Sequence, residues 1–439
     1  MKTIGVYTLG CKVNQYETEA VAELFSKAGY KIIPFDRKAD VYLINTCSVT
    51  GESDRKNRQV IRRAHRQNPE SVIVVMGCYA QVASEEVKAI EGVDIVIGTE
   101  GRSNLVSMVE DLFNDKNKSY INYDILHQTQ YEDLSISHFS EHQRAFIKIQ
   151  DGCDRFCTYC IIPYSRGHIR SRALDAIKTE LEDLSEAGYK EVVLTGIHLA
   201  SYGRDLDENI SLADAVVLAN SIAGIERVRI GSLEPVYVTD ESAKILASCS
   251  KLCRQFHIAL QSGSDKVLSA MNRRYTTAEF AEILNTIKKY MPDSTFTTDI
   301  MVGFPGESDA DHKDSMDFVR KCGFSKMHVF PYSRRPGTKA DEMIDQVPKN
   351  IKERRAKEMS ELGTLLANEY YESLDGKTEF VLLEETEEIN GEKFYIGHGK
   401  NYEKVYISET ELMMEDELIN SIKCVSLSLQ NNMLYGKIK

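Results

Sequence analysis

Apolar and polar positions follow two rhythms along most of the chain. Up to about residue 113, short apolar runs at 3–9, 41–46, 72–77 and 93–98 alternate with stretches near 15–28, 52–67 and 84–91 whose apolar residues recur every three to four positions. The runs read as buried strands and the stretches as amphipathic helices. Such alternation predicts parallel βαβ units and a doubly wound sheet. The rhythm breaks over 114–143, which is polar, irregular and rich in Asn, Gln, His and Ser, and is expected to be a linker. It resumes with strand-like runs at 146–150, 192–196, 227–231, 256–261, 295–302 and 326–330, and with helices near 174–187, 212–223, 240–248, 277–290 and 310–321. Six β/α units are too few for the eight-fold barrel and predict a partial, open one. A basic-tipped amphipathic helix at 349–372 follows. After Gly376 short alternating strands at 379–384, 394–397, 404–407, 421–429 and 434–438 predict a small antiparallel β-barrel. The class is therefore α/β, with domains expected at 1–113, 144–372 and 373–439.

These strands place the candidate chemistry. Cys11, Cys47 and Cys78 each follow a predicted strand, in Leu-Gly-Cys11, Asn-Thr-Cys47 and Met-Gly-Cys78. In a parallel sheet all three must emerge at one carboxyl edge, where ligand crevices form. Glycines before Cys11 and Cys78 allow the close backbone approach that a bulky inorganic group requires. A second set lies on one loop, Asp151-Gly-Cys153-Asp-Arg-Phe-Cys157-Thr-Tyr159-Cys160. Three thiols at CxxxCxxC spacing are one too few for a tetrahedral thiolate site, and zinc sites usually pair their cysteines as CxxC. A 4Fe–4S cluster held by three cysteines keeps one iron open to an outside ligand.

By barrel logic, groups at carboxyl strand ends face the active site. Thr195 and Gly196 end the second barrel strand, Ser232 and Glu234 close the third, Gln261 the fourth and Gly303 the fifth. Arg166 and Arg172 follow the cysteine loop and could clamp a carboxylate. Cys249, Cys253, Cys322 and Cys424 are assigned as structural, and His168, His198 and His257 as polar wall residues.

The formal charge of −13 over 439 residues argues against indiscriminate nucleic-acid binding. Three segments run against it: Lys and Arg outnumber Asp and Glu six to two in 52–66, six to two in 144–172 and eleven to four in 320–357. They read as a local RNA footprint with salt-dependent affinity. In the C-terminal module, 397–402 offers an aromatic face, an amide and a cation to single-stranded RNA, although 384–388 and 409–417 are acidic. No apolar run reaches membrane length and the start lacks a signal-peptide core, so a cytoplasmic protein is expected. Ten cysteines in a reducing compartment favour metal ligation or buried thiols over disulfides.

The CxxxCxxC loop resembles the signature of radical S-adenosylmethionine (SAM) enzymes. With three thiols on a doubly wound domain and a terminal β-barrel, the whole chain resembles the methylthiotransferases. That resemblance implies that Cys153, Cys157 and Cys160 hold the 4Fe–4S cluster at which SAM is split, with Tyr159 near the SAM adenine. It implies that Cys11, Cys47 and Cys78 hold an auxiliary 4Fe–4S cluster carrying sulfur, and that the C-terminal module is a TRAM-like RNA grip. It further implies two SAM molecules per turnover, an electron donor such as flavodoxin or ferredoxin, and a monomer. Leu9-Gly-Cys-Lys-Val-Asn-Gln-Tyr-Glu17 is most similar to the branch acting on threonylcarbamoyladenosine beside the tRNA anticodon. The branches acting on isopentenyladenosine and on a ribosomal-protein aspartate read more like Gly-Cys-Gln-Met-Asn and Gly-Cys-Pro-Lys-Asn. Other readings are an enzyme inserting methyl alone and a non-catalytic iron–sulfur RNA sensor, which would not require the polar barrel rim.

Overall fold

The computed structural model describes residues 1–115, 119–121, 123–137, 143–206, 209–411 and 418–439. The first six strands form one parallel sheet in the order Lys31–Ile33, Thr3–Thr8, Val41–Thr46, Val72–Gly77, Val93–Ile97, Ser119–Ile121. Val41–Thr46 and Val72–Gly77 are buried along their whole length, as expected of strands covered by helices on both faces. The helices Lys12–Lys27 and Gly51–Gln67 supply much of that cover. The helix expected at 84–91 is the short Ser84–Lys88, and a further short helix, Cys78–Val82, precedes it.

The expected linker is corrected. Ser119–Ile121 pairs with Val93–Ile97 as the sixth strand of the sheet, and Leu134 and Ile136 are buried. They belong to a continuous core that also takes in Tyr16, Ala20 and Val21 of the first helix and Ile147, Leu181 and Val193 of the barrel. With Ile125, three buried apolar residues among those described in this polar stretch bolt it down, and they are too few to make a periodic signal. The remainder of 114–143 includes residues outside those described.

The barrel strands are Arg144–Asp151, Glu191–Gly196, Arg227–Ile230, Gln255–Ile258, Thr295–Val302 and Lys326–Pro331, all in parallel neighbour pairs where they pair. A break after Ile230 splits them into two sheets, linked by the bridge between Val228 and Leu252. The first helix of the chain packs against Arg144–Asp151 and Glu191–Gly196, so the N-terminal domain lies against the barrel wall.

The C-terminal strands Thr378–Ile389, Glu392–His398, Lys404–Ser408, Ile422–Gln430 and Met433–Ile438 close into a barrel with its own core. It was expected to be antiparallel throughout. Lys404–Ser408 instead meets Met433–Ile438 in parallel, and that pair completes the ring. The acidic stretch at 409–417 lies mostly outside the described residues.

Candidate active site

The strand order 2-1-3-4-5-6 reverses its winding between Thr3–Thr8 and Val41–Thr46. At such a switch point the connections diverge and leave a crevice. Cys11 and Cys47 follow the two strands that flank it, and Cys78 follows the next. A Cβ built on Gly10 would stand 3.1 Å from Cys47 Cβ, so the two loops touch. Asn14 Nδ2 binds them together by donating to the carbonyls of Leu9 at 2.8 Å and Thr46 at 3.0 Å. Asn57 holds Cys47 by its backbone: Nδ2 donates to its carbonyl at 2.7 Å and Oδ1 accepts from its amide at 3.3 Å. Gly77 has φ 99°, and a Cβ there would fall 2.2 Å from Asn45 Oδ1. Glycine is required at that turn into Cys78.

The second set of thiols is held locally. The Cys153 amide donates to Gly167 O at 3.0 Å, and the Thr158 amide and hydroxyl donate to Met271 O at 3.1 Å and Ala270 O at 2.9 Å. The Ala340 amide returns a bond to Thr158 O at 2.8 Å. Phe156 takes a left-handed φ of 47°, and its carbonyl accepts from Asn272 Nδ2 at 3.1 Å. Gly152, with φ 72°, passes so close to the segment after the cysteine loop that a Cβ would lie 1.8 Å from His168 O.

Electrostatics marks both sets. Burial, then the neighbouring Cys78 and Cys11, pushes the Cys47 thiol up to about 11. Burial first, and other cysteines of the loop, push Cys153 and Cys160 up to about 12. Each set also receives one guanidinium. Arg166 Nε lies 3.3 Å from Cys78 Sγ and Arg273 Nη1 lies 3.5 Å from Cys157 Sγ. Clustered thiols that resist ionisation alone, with no disulfide between them, suit a cationic iron group that stabilises several thiolates together. Among the described residues no three His, Cys, Asp or Glu side chains converge as ligands of a single ion, so neither set is a preformed mononuclear site.

Arg166 ties Cys78 to Asp151, on the strand that leads into the second set. Its Nη atoms donate to Glu17 at 2.8 and 2.9 Å, to Asp151 at 3.0 Å and to Asn14 at 2.8 Å. Lys148 donates to the same two carboxylates at 2.8 and 2.5 Å, and Arg102 meets Glu17 at 2.6 Å. Burial would raise the Glu17 carboxyl, but Arg102, Arg166 and Lys148 together hold it well below its ordinary value. This network corrects the reading of 144–172 as an RNA footprint. Lys148, Arg166, Arg170 and Arg172 are buried ion-pair partners. In contrast, Arg55, Lys56, Arg62, Arg63 and Arg66 are exposed on the helix that follows Cys47.

The expected rim residues divide. Thr195, Gly196 and Ser232 line a cavity of about 510 Å³ together with Cys11, Lys12, His257 and Asp299. Glu234 accepts from Arg273 at 2.9 Å and faces His198 at 3.6 Å, beside the cysteine loop. Gln261, with φ 68°, is stitched to the next strand through its backbone, and its buried Oε1 has no hydrogen-bond partner among the described residues. That orphaned acceptor fits a bound polar group. Tyr159 packs edge-on against Phe304, ring centroids 6.5 Å apart, and Gly303 precedes that ring, its amide given to Glu307.

Arg172 is placed elsewhere. Its guanidinium is consumed by Glu180 and by Asp133 at 2.7 Å, in a buried cluster with Tyr16. Two carboxylates brought in from other elements outcompete the rim for it. His168 pairs with Asp154 at 2.5 Å on the surface.

The 397–402 loop is also corrected. Arg227 donates to the carbonyls of His398 and Phe380, and Arg229 to those of Gly399 at 2.8 Å and Lys400 at 2.9 Å. Tyr402 stacks on His398 at 4.7 Å, receives Arg144 and Arg229 on its ring, and reaches the cavity lining. The loop docks the C-terminal barrel onto the central one through its backbone carbonyls and the Tyr402 ring, leaving only the Lys400 side chain exposed. Sequence reasoning missed Lys12 and Arg273, and read the Tyr402 ring as an RNA-facing one. Lys12 had a signal in its adjacency to Cys11, and Arg273 in the pair Arg273-Arg274 beyond the fourth strand. Nothing local placed Tyr402 at the cavity.

An open six-unit β/α barrel with CxxxCxxC after its first strand defines a radical SAM enzyme, and residues 147–319 match the Radical SAM superfamily model. Residues 3–98 match the Uncharacterized protein family UPF0004. Threonylcarbamoyladenosine tRNA methylthiotransferase MtaB of Bacillus subtilis (strain 168) is 43% identical over 415 residues, covering 94% of this chain and 92% of that one. The tRNA-2-methylthio-N(6)-dimethylallyladenosine synthase of Clostridium botulinum (strain Langeland) is 34% identical over 439 residues, covering 98% and 97%. Among solved structures, the radical SAM methyltransferase TsrM of Kitasatospora setae superposes with a TM-score of 0.60 at 13% identity, covering 77% of each chain, a likeness of fold alone. The chain belongs to the radical SAM tRNA methylthiotransferase family. It is a transferase whose cofactors are SAM and 4Fe–4S clusters. Among the described residues no helix is long and apolar enough to cross a membrane.

Proposed function

We propose that the chain methylthiolates carbon 2 of threonylcarbamoyladenosine beside the anticodon of tRNA, with Cys153, Cys157 and Cys160 holding the cluster that splits SAM and Cys11, Cys47 and Cys78 holding an auxiliary cluster. The observation that carries this reading is the meeting of two three-thiol sets at one barrel. Cys11 opens into the cavity lined by Thr195, Gly196 and Ser232, while Arg273 and Glu234 connect that rim to Cys157. When bound, the clusters supply a carbon radical from SAM and the sulfur to be transferred, a chemistry needed because no side-chain base can remove hydrogen from an aromatic carbon.

The chain's own residues do the rest. Arg166 and Arg273 donate to cysteine sulfurs, which favours thiolate ligands and sets their orientation. Gln261 Oε1 and the Thr195-Gly196 strand end offer polar contacts for SAM. The cavity walls keep water from a base splayed out of the anticodon loop. The exposed arginines after Cys47 attract the RNA backbone. The C-terminal barrel, read as TRAM-like, grips RNA through faces other than the 397–402 loop. A one-electron donor of the flavodoxin or ferredoxin kind, a cytoplasmic setting and a monomer complete the proposal.

Anaerobic turnover with a strong reductant, SAM and anticodon stem-loops tests it. Mass spectrometry is expected to find 5′-deoxyadenosine and a methylthio product on the threonylcarbamoyladenosine loop. Product only on an isopentenyladenosine loop would move the chain to that branch, and absence of SAM cleavage would overturn the reading altogether.

A further inference from the structure

The cavity shared by Cys11 and the barrel carries an exposed cation at its Cys11 edge, Lys12, which forms no ion pair among the described residues. Its charged lining is Lys12, Arg229, Asp299 and Lys326, with His257 and His328. Arg229 is engaged by Glu191 at 2.6 Å and by two backbone carbonyls of the docking loop. Asp299 faces His257 Nε2 at 3.3 Å. Lys326 occupies the first position of its strand and is exposed. Lys12 has no ion pair among the described residues. Its ammonium stands 5.7 Å from the Phe146 ring centroid, and its charged surroundings are Arg144, Arg229 and Glu191. Glu191 is already committed to Arg229 and Arg227, so it does not neutralise Lys12.

The position of Lys12 says which anion it meets. Its Cα is one peptide, ~3.8 Å, from that of Cys11, and its flexible four-carbon stem sweeps the space next to that thiol. Resting on the reading above, the reacting carbon of the adenine must come to the Cys11 side of this cavity. The substituent on the neighbouring exocyclic nitrogen then falls within reach of the next side chain. In threonylcarbamoyladenosine that substituent is a urea bearing threonine, whose free α-carboxylate is its only charge. We infer that Lys12 binds this carboxylate and selects the amino-acid-bearing base. A hydrocarbon substituent in the same place leaves the ammonium desolvated and unpaired, which turns the contact into discrimination as well as affinity.

A tRNA phosphate could offer the same anionic chemistry, so the test separates the two sources. Three stem-loops are compared by fluorescence anisotropy and single-turnover methylthiolation. They carry threonylcarbamoyladenosine, its carboxamide analogue and unmodified adenosine. For Lys12→Gln, kcat/KM on the carboxylate loop is expected to drop on the order of 100-fold, to the level of the carboxamide loop, with binding of the other two loops unchanged. Lys12→Arg, which keeps a cation there, is expected to restore most of the preference and covers the case in which Lys12→Gln folds or loads iron poorly. Equal weakening on all three loops would assign Lys12 to a phosphate and overturn the inference. So would wild-type preference persisting in Lys12→Gln. A wild-type enzyme that leaves the carboxylate loop unmodified would remove the proposed function itself, and the inference with it.

Discussion

The two cysteine sets do similar work and are built in opposite ways. Cys153, Cys157 and Cys160 lie within one loop, whose shape is set by backbone hydrogen bonds to Gly167, Met271 and Ala340. Cys11, Cys47 and Cys78 come from three strand ends and converge because a parallel sheet sends successive carboxyl ends to one edge. The loop set receives an arginine from its own barrel, Arg273, bound to one carboxylate, Glu234. The strand-end set receives Arg166 from the other domain, and that arginine is tied to Glu17, Asp151 and Asn14. A local loop can be organised largely by backbone bonds, with Thr158 and Asn272 adding two side-chain ties. A site assembled across domains needs side chains that bind both, and here the binding is a buried ionic network.

The largest expected contrast is catalytic. Cys157→Ala is expected to bring both SAM cleavage and methylthio product to background, whereas Cys47→Ala abolishes the product and leaves some 5′-deoxyadenosine. Equal loss of both activities in two folded variants would erase the division of labour between the sets. Next comes the hub. Breaking a buried ionic network by removing one partner costs about 3–5 kcal/mol, so Arg166→Met should lower the urea midpoint far more than Arg273→Met, which strands a single carboxylate. Matching midpoints would mean that the domains are held by their shared apolar core instead.

The same network has a pH signature. Glu17, whose ordinary value is 4.5, is held well below it in the folded chain. The unfolded state therefore binds the proton more readily, and the contribution of Glu17 is full above about 4.5 and lost as pH falls through the depressed value. Urea unfolding of the wild type should weaken on acidification below that point more steeply than that of Glu17→Gln. Parallel curves would show that Glu17 is not ionised in the fold. The smallest effect expected is that of Asn57→Ala, which removes the clasp on the Cys47 backbone and should cost about 1–3 kcal/mol. The iron content of purified protein should fall with it.

Much of this molecule was readable before any coordinates. Apolar runs ending in Gly-Cys or Thr-Cys predicted that Cys11, Cys47 and Cys78 would share an edge, and the sheet order puts Cys11 and Cys47 at its switch point with Cys78 one strand further along. The six barrel strands fall within a few residues of their expected spans, because buried parallel strands are nearly continuous apolar runs. Charge was the poor guide. Six cations in 144–172 looked like an RNA surface, yet four are buried partners of Glu17, Asp151, Glu100 and Glu180. Only the fold reveals such pairings, and that of Arg166 and Lys148 with Glu17, more than a hundred positions away, leaves no trace in local composition.

Local spacing and periodicity settled the class of chemistry, since the loop thiols and the strand rhythm are short-range properties of the chain. Tertiary packing alone decided how the two domains that carry the thiol sets are joined, that the 397–402 loop docks the C-terminal barrel on the central one, and that Lys12 forms no ion pair among the described residues. These are outcomes of competition among charges and hydrogen-bonding groups that meet only once the domains have docked, and desolvation makes each such meeting selective.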